Sequence, residues 1–250
     1  MIECCDLTLS YDQQPVLKQI TLTLGKPGIT ALIGPNGAGK STLLSAIARL
    51  VKPDSGTVLL DGEPVVGNQT LAKHLAILRQ DNHMEARLSV YDLVCFGRYP
   101  HSGGRLTDED LQKVAQAIDY LDLQPLQDRY LDELSGGQRQ RAFIAMILAQ
   151  DTEYILLDEP LNNLDMKHAV SIMKLMQQAA RDMHKKIIIV LHDINFASVY
   201  ADQIIAMKDG QVAYQGTPEE MITEPVMLDL YDLPMQIQQI NDKPIAVYHL

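Results

Sequence analysis

Eight consecutive residues carry the plainest chemistry in this sequence: Gly34-Pro35-Asn36-Gly37-Ala38-Gly39-Lys40-Ser41, a G-x-x-x-x-G-K-[ST] pattern. Gly37 and Gly39 let the backbone fold so tightly that successive N–H groups point at phosphate oxygens. Lys40 supplies a point cation for the β- and γ-phosphates, the Ser41 hydroxyl suits Mg²⁺, and Thr42 is placed to reach the α-phosphate. Two carboxylates stand apart in the chain at Asp158-Glu159, directly after the apolar run Tyr154 to Leu157. Asp158 fits a partner that holds Mg²⁺ through oxygen or water. Glu159 fits the group that orients or deprotonates a water attacking the γ-phosphate. A third feature, Leu134-Ser135-Gly136-Gly137-Gln138, places a helix-capping serine before two glycines, leaving the first N–H groups of the following helix open to an anion.

These groups need strands and helices to hold them. Ile29 to Ile33 is a short apolar strand that delivers Gly34, and the three- and four-residue spacing of Leu43, Leu44, Ile47, Leu50 and Val51 predicts the helix that receives Lys40. Pro53 and Gly56 end that helix, and Thr57 to Leu60 is a strand closed by Asp61-Gly62. Upstream, Cys5, Leu7 and Leu9 alternate, as do Ile20, Leu22 and Leu24, predicting two half-buried antiparallel strands joined at Tyr11 to Pro15. From about 82 to 150 the pattern turns helical. Thr107-Asp108-Glu109-Asp110 has capping-box spacing, followed by an expected apolar face of Leu111, Val114, Ala115, Ile118 and Leu121. A second helix runs over about 138–150; its stretch Ala142 to Ala149 is apolar on every side and must be buried. Ala169 to Asp182 is helical, with Val170, Met173, Met176 and Ala180 on its inner side. Ile187 to Leu191 is a buried strand leading to His192, and 204–214 and 236–248 are hairpins.

Composition narrows the function. The 250 residues hold 21 Lys and Arg against 32 Asp and Glu, a formal charge of −11. Phosphate backbones and anionic membranes attract clustered cations, so neither nucleic acid nor direct lipid adsorption is expected. No apolar run approaches the roughly 20 residues of a membrane span, and Met1-Ile2-Glu3 does not read as a signal peptide, so a soluble chain is expected. The three cysteines lack C-x-x-C spacing and read as reduced thiols of a cytosolic protein. The seven histidines lack H-x-x-x-H spacing, leaving Mg²⁺ as the one implied metal.

With the phosphate loop, the Leu134–Gln138 pentapeptide and the Asp158-Glu159 strand in this order, nearly the whole chain resembles the ATP-binding-cassette (ABC) ATPases. The resemblance implies an α/β fold: a P-loop, RecA-like core with antiparallel β over about 1–81 and 151–216, a helical subdomain over about 82–150, and a tail over about 217–250. It implies ATP and Mg²⁺ as ligands and a head-to-tail homodimer. Each site then takes Gly34, Asn36, Gly37, Ala38, Gly39, Lys40, Ser41, Thr42, Gln80, Asp158, Glu159 and His192 from one chain. Ser135, Gly136, Gly137, Gln138 and Asp165 come from the other. In this likeness Tyr11 stacks on adenine, Gln80 senses Mg²⁺ and the attacking water, His192 meets the γ-phosphate, and Asn163-Leu164-Asp165 links the two sites. Leu161-Asn162-Asn163 departs from the Thr-Ser-Ala of many members.

The stretches Arg87 to Val94 and Phe96 to His101 resemble importers of iron(III)-siderophores, haem and cobalamin, with overall wording nearest the catecholate-siderophore group. That implies two permease subunits docked in a groove, with Met84, Leu88 and Tyr99 as apolar contacts. It also implies a periplasmic or lipoprotein siderophore-binding protein acting indirectly, and a place on the cytoplasmic face of the membrane. Alternatives are haem or cobalamin import, and a soluble ABC regulatory or assembly ATPase without a permease. A GTPase switch is disfavoured because N-K-x-D is missing.

Overall fold

In the computed structural model the N-terminal alternations pair as Ile2–Tyr11 (β1) and Gln14–Leu24 (β2), joined by Asp12 and Gln13, both at positive φ, as a tight hairpin demands. The structure describes residues 1–65, 67–80 and 86–248, leaving aside the side chains of 68 and 69. The phase of β1 differs from the expected one. Ile2 and Cys4 are buried, Cys5 is half-buried, and burial resumes at Leu7 and Leu9. The register shifts between Cys4 and Leu7, around Asp6 at φ 51, where Asp6 N and Thr21 Oγ1 join across the strands at 3.1 Å. A bulge inserts one residue and so flips the alternation. Burial pushes the Cys4 thiol up to about 12, and all three cysteines are free.

Gly28–Ile33 (β3) leads through the glycine loop into Lys40–Ile47 (α1), which stops short of Leu50, an exposed residue. Ser55–Leu60 (β4) and Glu63–Pro64 (β5) complete an antiparallel sheet of order β2-β1-β4-β5. The short helix Asn68–Leu71 (α2) precedes Leu75–Leu78 (β6). Helices then follow at Val90–Phe96 (α3), Tyr99–Ser102 (α4), Asp108–Tyr120 (α5) and Gly136–Ala149 (α6). Ser89, Thr107 and Ser135 each close a capping box, with Asp92, Asp110 and Gln138. The buried stripe of α5 is Val114, Ala117 and Ile118, continued by Leu121; Leu111 and Ala115, expected inside, are exposed.

Two further ties hold this helical layer. Arg98 and Asp110, both buried, pair at 2.8 Å, and Arg98 also donates to the carbonyls of Ala149 and Gln150. Ser89 and Tyr130 bridge antiparallel, with Val90 N donating to Arg129 O at 2.9 Å and Leu131 N to Leu88 O at 3.0 Å.

The chain returns through Tyr154–Leu157 (β7), Met166–Asp182 (α7), Lys186–Val190 (β8), Ile194–Tyr200 (α8), Gln203–Lys208 (β9) and Gln211–Gly216 (β10). On α7, Met173, Met176 and Ala180 are buried as expected, while Val170 is half-buried and Ala169, Ile172 and Ala179 fill the face. The second sheet has order β10-β9-β3-β8-β7-β6, parallel from β9 to β6. Its inner strands are buried on both faces, which is why they read as unbroken apolar runs. One face shares its core with α1 and the antiparallel sheet. The other shares a continuous core with α3, α5, α6, α7 and the tail. The tail adds Pro218–Met221 (α9), Glu224–Tyr231 (α10) and a hairpin of Gln236–Ile240 (β11) and Lys243–Val247 (β12), turning on Asn241 and Asp242. This is the mixed α/β cassette the resemblance implies, with its antiparallel β and helical parts. Among the described residues no helix is long and apolar enough to cross a membrane.

Candidate functional site

Parallel pairing builds the site. Because β3, β8, β7 and β6 run the same way side by side, their following residues emerge at one edge: Gly34, His192, Asp158 and Gln80. Open α/β sheets bind ligands at that edge. Backbone bonds fix the levels: Leu191 N donates to Leu32 O at 3.1 Å, and Asp158 N to Leu78 O at 2.8 Å. Gly34 sits at φ 140 so close to β9 that any side chain would overlap the carbonyl oxygen of Met207.

An open cavity of about 490 Å³ lies over this edge. Asn36, Gly37, Gly39, Lys40, Ser41, Thr42, Gln80, Glu159 and His192 line it, with two residues the sequence reading did not assign to it, Val16 and Asn162. Gly34 and Ala38 are buried parts of the loop itself. Asp158 lies beneath, 6% exposed, and its Oδ1 accepts from Ser41 Oγ at 2.7 Å. Tyr11 does not line the cavity; it is exposed at the end of β1, and Val16 on β2 reaches the site instead.

Lys40 is 5% exposed, and its Nζ donates to the carbonyls of Gly34 and Pro35 at 2.8 and 2.9 Å. Burial lowers its pKa, and the Glu159 and Asp158 carboxylates push back. Burial raises the Asp158 pKa against the Ser41 hydrogen bond, and Glu159 raises it further. A divalent cation would relieve both carboxylates. The Ser41 hydroxyl and Asp158 carboxylate, with the Gln80 amide on the same cavity, form the all-oxygen donor set that suits Mg²⁺.

Glu159 stands at φ 50, in the left-handed region. Its carboxylate, 10% exposed, has Oε1 2.6 Å from His192 Nε2, while Oε2 accepts from Asn162 Nδ2. The other expected residues sit elsewhere. Ser135 caps α6, with Gln138 Oε1 accepting from Ser135 N at 3.0 Å; Ser135 and Gly136 are exposed and Gly137 is buried. None of these four lines the 490 Å³ cavity. Gly136 lines an adjoining one of about 430 Å³ with Arg79, Gln80, Arg139 and Glu159. Asp165 caps α7, accepting from His168 N at 2.9 Å and facing His168 Nδ1 at 2.8 Å. The His168 ring lies over Gly137, so tightly that a Cβ there would overlap it.

A further groove, about 360 Å³ and mostly apolar, is lined by Leu88, Asp92, Cys95, Phe96, Tyr99, Ser102, Gly104 and Leu106. Phe96 and Tyr99 are 50% and 58% exposed. Met84, expected beside them, lies outside the described residues.

A family model described as "ABC transporter" matches residues 17–162. The chain is 52% identical over 250 residues to the petrobactin import ATP-binding protein YclP of Bacillus subtilis (strain 168), covering 99% of both chains. It superposes on an inward-facing putative metal-chelate type ABC transporter with a TM-score of 0.84, at 27% identity, covering 99% of this chain and 98% of that one. The dimeric ATP-binding cassette MJ0796 bound to ADP and Pi gives a TM-score of 0.76 at 28% identity, over 87% of this chain and 98% of that one.

Proposed function

Because this chain belongs to the ABC transporter family, we propose that it is the ATP-hydrolysing subunit of an importer that brings an iron(III)-siderophore across the cytoplasmic membrane. The supporting observation is the convergence of a phosphate loop, a buried Lys40, the Ser41–Asp158 pair and the Glu159–His192 pair on one cavity. The loop amides and Lys40 bind the β- and γ-phosphates, with Lys40 exchanging its two carbonyl acceptors for phosphate oxygens. Ser41, Asp158 and Gln80 would hold Mg²⁺, which would neutralise charge on the phosphate oxygens. Glu159 takes a proton from the attacking water as its oxygen bonds to the γ-phosphorus. The bond from that phosphorus to the β–γ bridging oxygen breaks, leaving ADP and inorganic phosphate. His192 meets the γ-phosphate, and Tyr11 is the candidate for stacking on adenine.

The cavity is open, and Ser135, Gly136, Gly137, Gln138 and Asp165 lie off it. We assign those five to the nucleotide of a second copy, so that two chains close head to tail over two ATP molecules. The Leu88–Leu106 groove, with its exposed Phe96 and Tyr99, suits a short amphipathic cytoplasmic helix of one permease subunit, so that the two chains of the dimer take two permease subunits and lie peripherally on the cytoplasmic face. A siderophore-binding protein delivers cargo to the permease without touching this chain.

Glu159→Gln is expected to bind ATP, lose turnover and elute from a sizing column as an ATP-dependent dimer. Parental turnover would overturn the role of Glu159. Cells lacking the gene are expected to lose uptake of a ferric siderophore and regain it on restoration. Offering ferric petrobactin, other catecholates, hydroxamates, haem and cobalamin in turn identifies the cargo; unchanged uptake of all would sink the importer reading.

A further inference from the structure

Asn162 stands where many family members carry a serine, and the structure gives it an unusual place. It lines the nucleotide cavity and two adjoining ones, and Glu159 lines the same three. Its backbone N donates to Glu159 O at 3.2 Å, closing a tight turn that starts at Glu159 and its left-handed φ of 50. Its side-chain amide donates to Glu159 Oε2, while His192 holds Oε1. The two carboxylate oxygens are therefore engaged from two sides by groups on different segments, one after β7 and one after β8.

We propose that Asn162 is a positioning residue for hydrolysis, holding the Glu159 carboxylate in the plane and rotamer from which it takes the proton of the attacking water. The inference rests on Glu159 being the base. A carboxylate side chain with a single partner retains rotation about its terminal torsion, which is broad and two-fold. A second donor removes that freedom before the nucleotide arrives, and orientation of this kind carries a large share of catalytic rate. The donor must reach out from Cβ on a side chain of at least this length. Alanine has none, and a serine hydroxyl on Cβ falls short of Oε2. The left-handed φ of Glu159 has a part here too. It turns the chain so sharply that the residue three positions on lies beside the Glu159 side chain, and strain of this sort persists where neighbouring bonds over-determine it.

The test uses the full chain and steady-state ATP hydrolysis. Asn162→Ala is expected to lower kcat about 10- to 100-fold while KM for ATP stays within about twofold, because orientation of the base and not nucleotide binding is lost. Asn162→Gln, which keeps the amide donor, is expected to restore part of that loss. Asn162→Ser, which keeps a turn-forming side chain but not the reach, is expected to behave like Asn162→Ala and guards against a folding defect in the latter. In a Glu159→Gln background, Asn162→Ala is expected to change the residual single-turnover rate by less than about twofold, since the residue acts through Glu159. A kcat equal to the parent in both Asn162→Ala and Asn162→Ser, or a full further loss in the Glu159→Gln background, would overturn the proposal. Parental turnover by Glu159→Gln alone would instead remove the reading of Glu159 on which it stands.

Discussion

Lys40 shows how much one side chain is asked to do. It is a cation almost wholly out of water, held by two carbonyl oxygens and favoured by two nearby carboxylates. Burial costs the charged form, so the site must offset that cost with partners. Lys40→Ala is expected to cut ATP turnover at least about 100-fold, as loss of a preorganised charge does, and to weaken binding of a fluorescent ATP analogue in titration. The glycine loop and Glu159 were legible because their chemistry requires fixed types in a fixed context, whereas Gln80 and His192 were legible only through the family resemblance; all come together on one cavity. Val16 was not legible, since a valine after a turn has no chemistry to announce it. Asn162 left only the trace of an unusual tripeptide. Gly137 is a subtler case. Its glycine is explained within the chain by the His168 ring above it. Gly137→Ala is expected to lower the melting temperature by about 3–8 °C, the size of an overpacking penalty in a domain this large. Combining it with His168→Ala, which clears the space, should recover part of that loss in the same thermal melt.

Elements are legible in the sequence where period and caps agree. The parallel strands announced themselves as apolar runs, and the Thr107 box formed as spaced. Periodicity misleads where one residue changes the phase. The bulge at Asp6 puts Cys4 inside where Cys5 was expected, and no local pattern marks it because both positions carry the same residue. On α5, Leu111 and Ala115 are apolar yet exposed, because only the side facing α3 and α6 is covered. The helices are joined by a buried ion pair that periodicity does not reveal. Asp110 closes the cap of α5 and pairs with Arg98, which in turn donates to the last carbonyls of α6. These partners, led by the Thr107 backbone N–H, hold the Asp110 carboxyl at about 2, below its ordinary 3.8. A depressed carboxylate pKa contributes stability that is whole above the unfolded value and fades as pH falls through the folded one. Lowering pH from about 4 towards 2 should therefore remove it. Asp110→Ala is expected to cost about 3 kcal/mol in urea unfolding at pH 7, because it leaves Arg98 buried and unpaired. The acid-side loss in the variant should then be smaller than in the parent.

Across the molecule, the division into parts is less sharp than the change in sequence character implied. The core under α3, α5 and α6 continues across the parallel sheet and into the tail, where Met221, Ile222, Met227, Leu230 and Met235 are buried. The tail is also bonded to α8, the helix that follows His192: Asn195 and Ala246 exchange two hydrogen bonds, and Ser198 Oγ donates to Pro244 O at 2.5 Å. Truncation after Gly216 is thus expected to yield aggregated chain in a solubility assay, not a trimmed active enzyme, since it uncovers that apolar surface. The tail read as mixed because its helices are short and its burial depends on partners far away in sequence. The backbone stitching at Ser89 and Tyr130 reaches further still. It fastens Leu88, on the apolar groove, to a segment that runs, just beyond Leu131, into Ser135. Paired backbone hardly stretches, so a pull on Leu88 is expected to be felt at residues 129–131 and, through them, at the turn that opens α6.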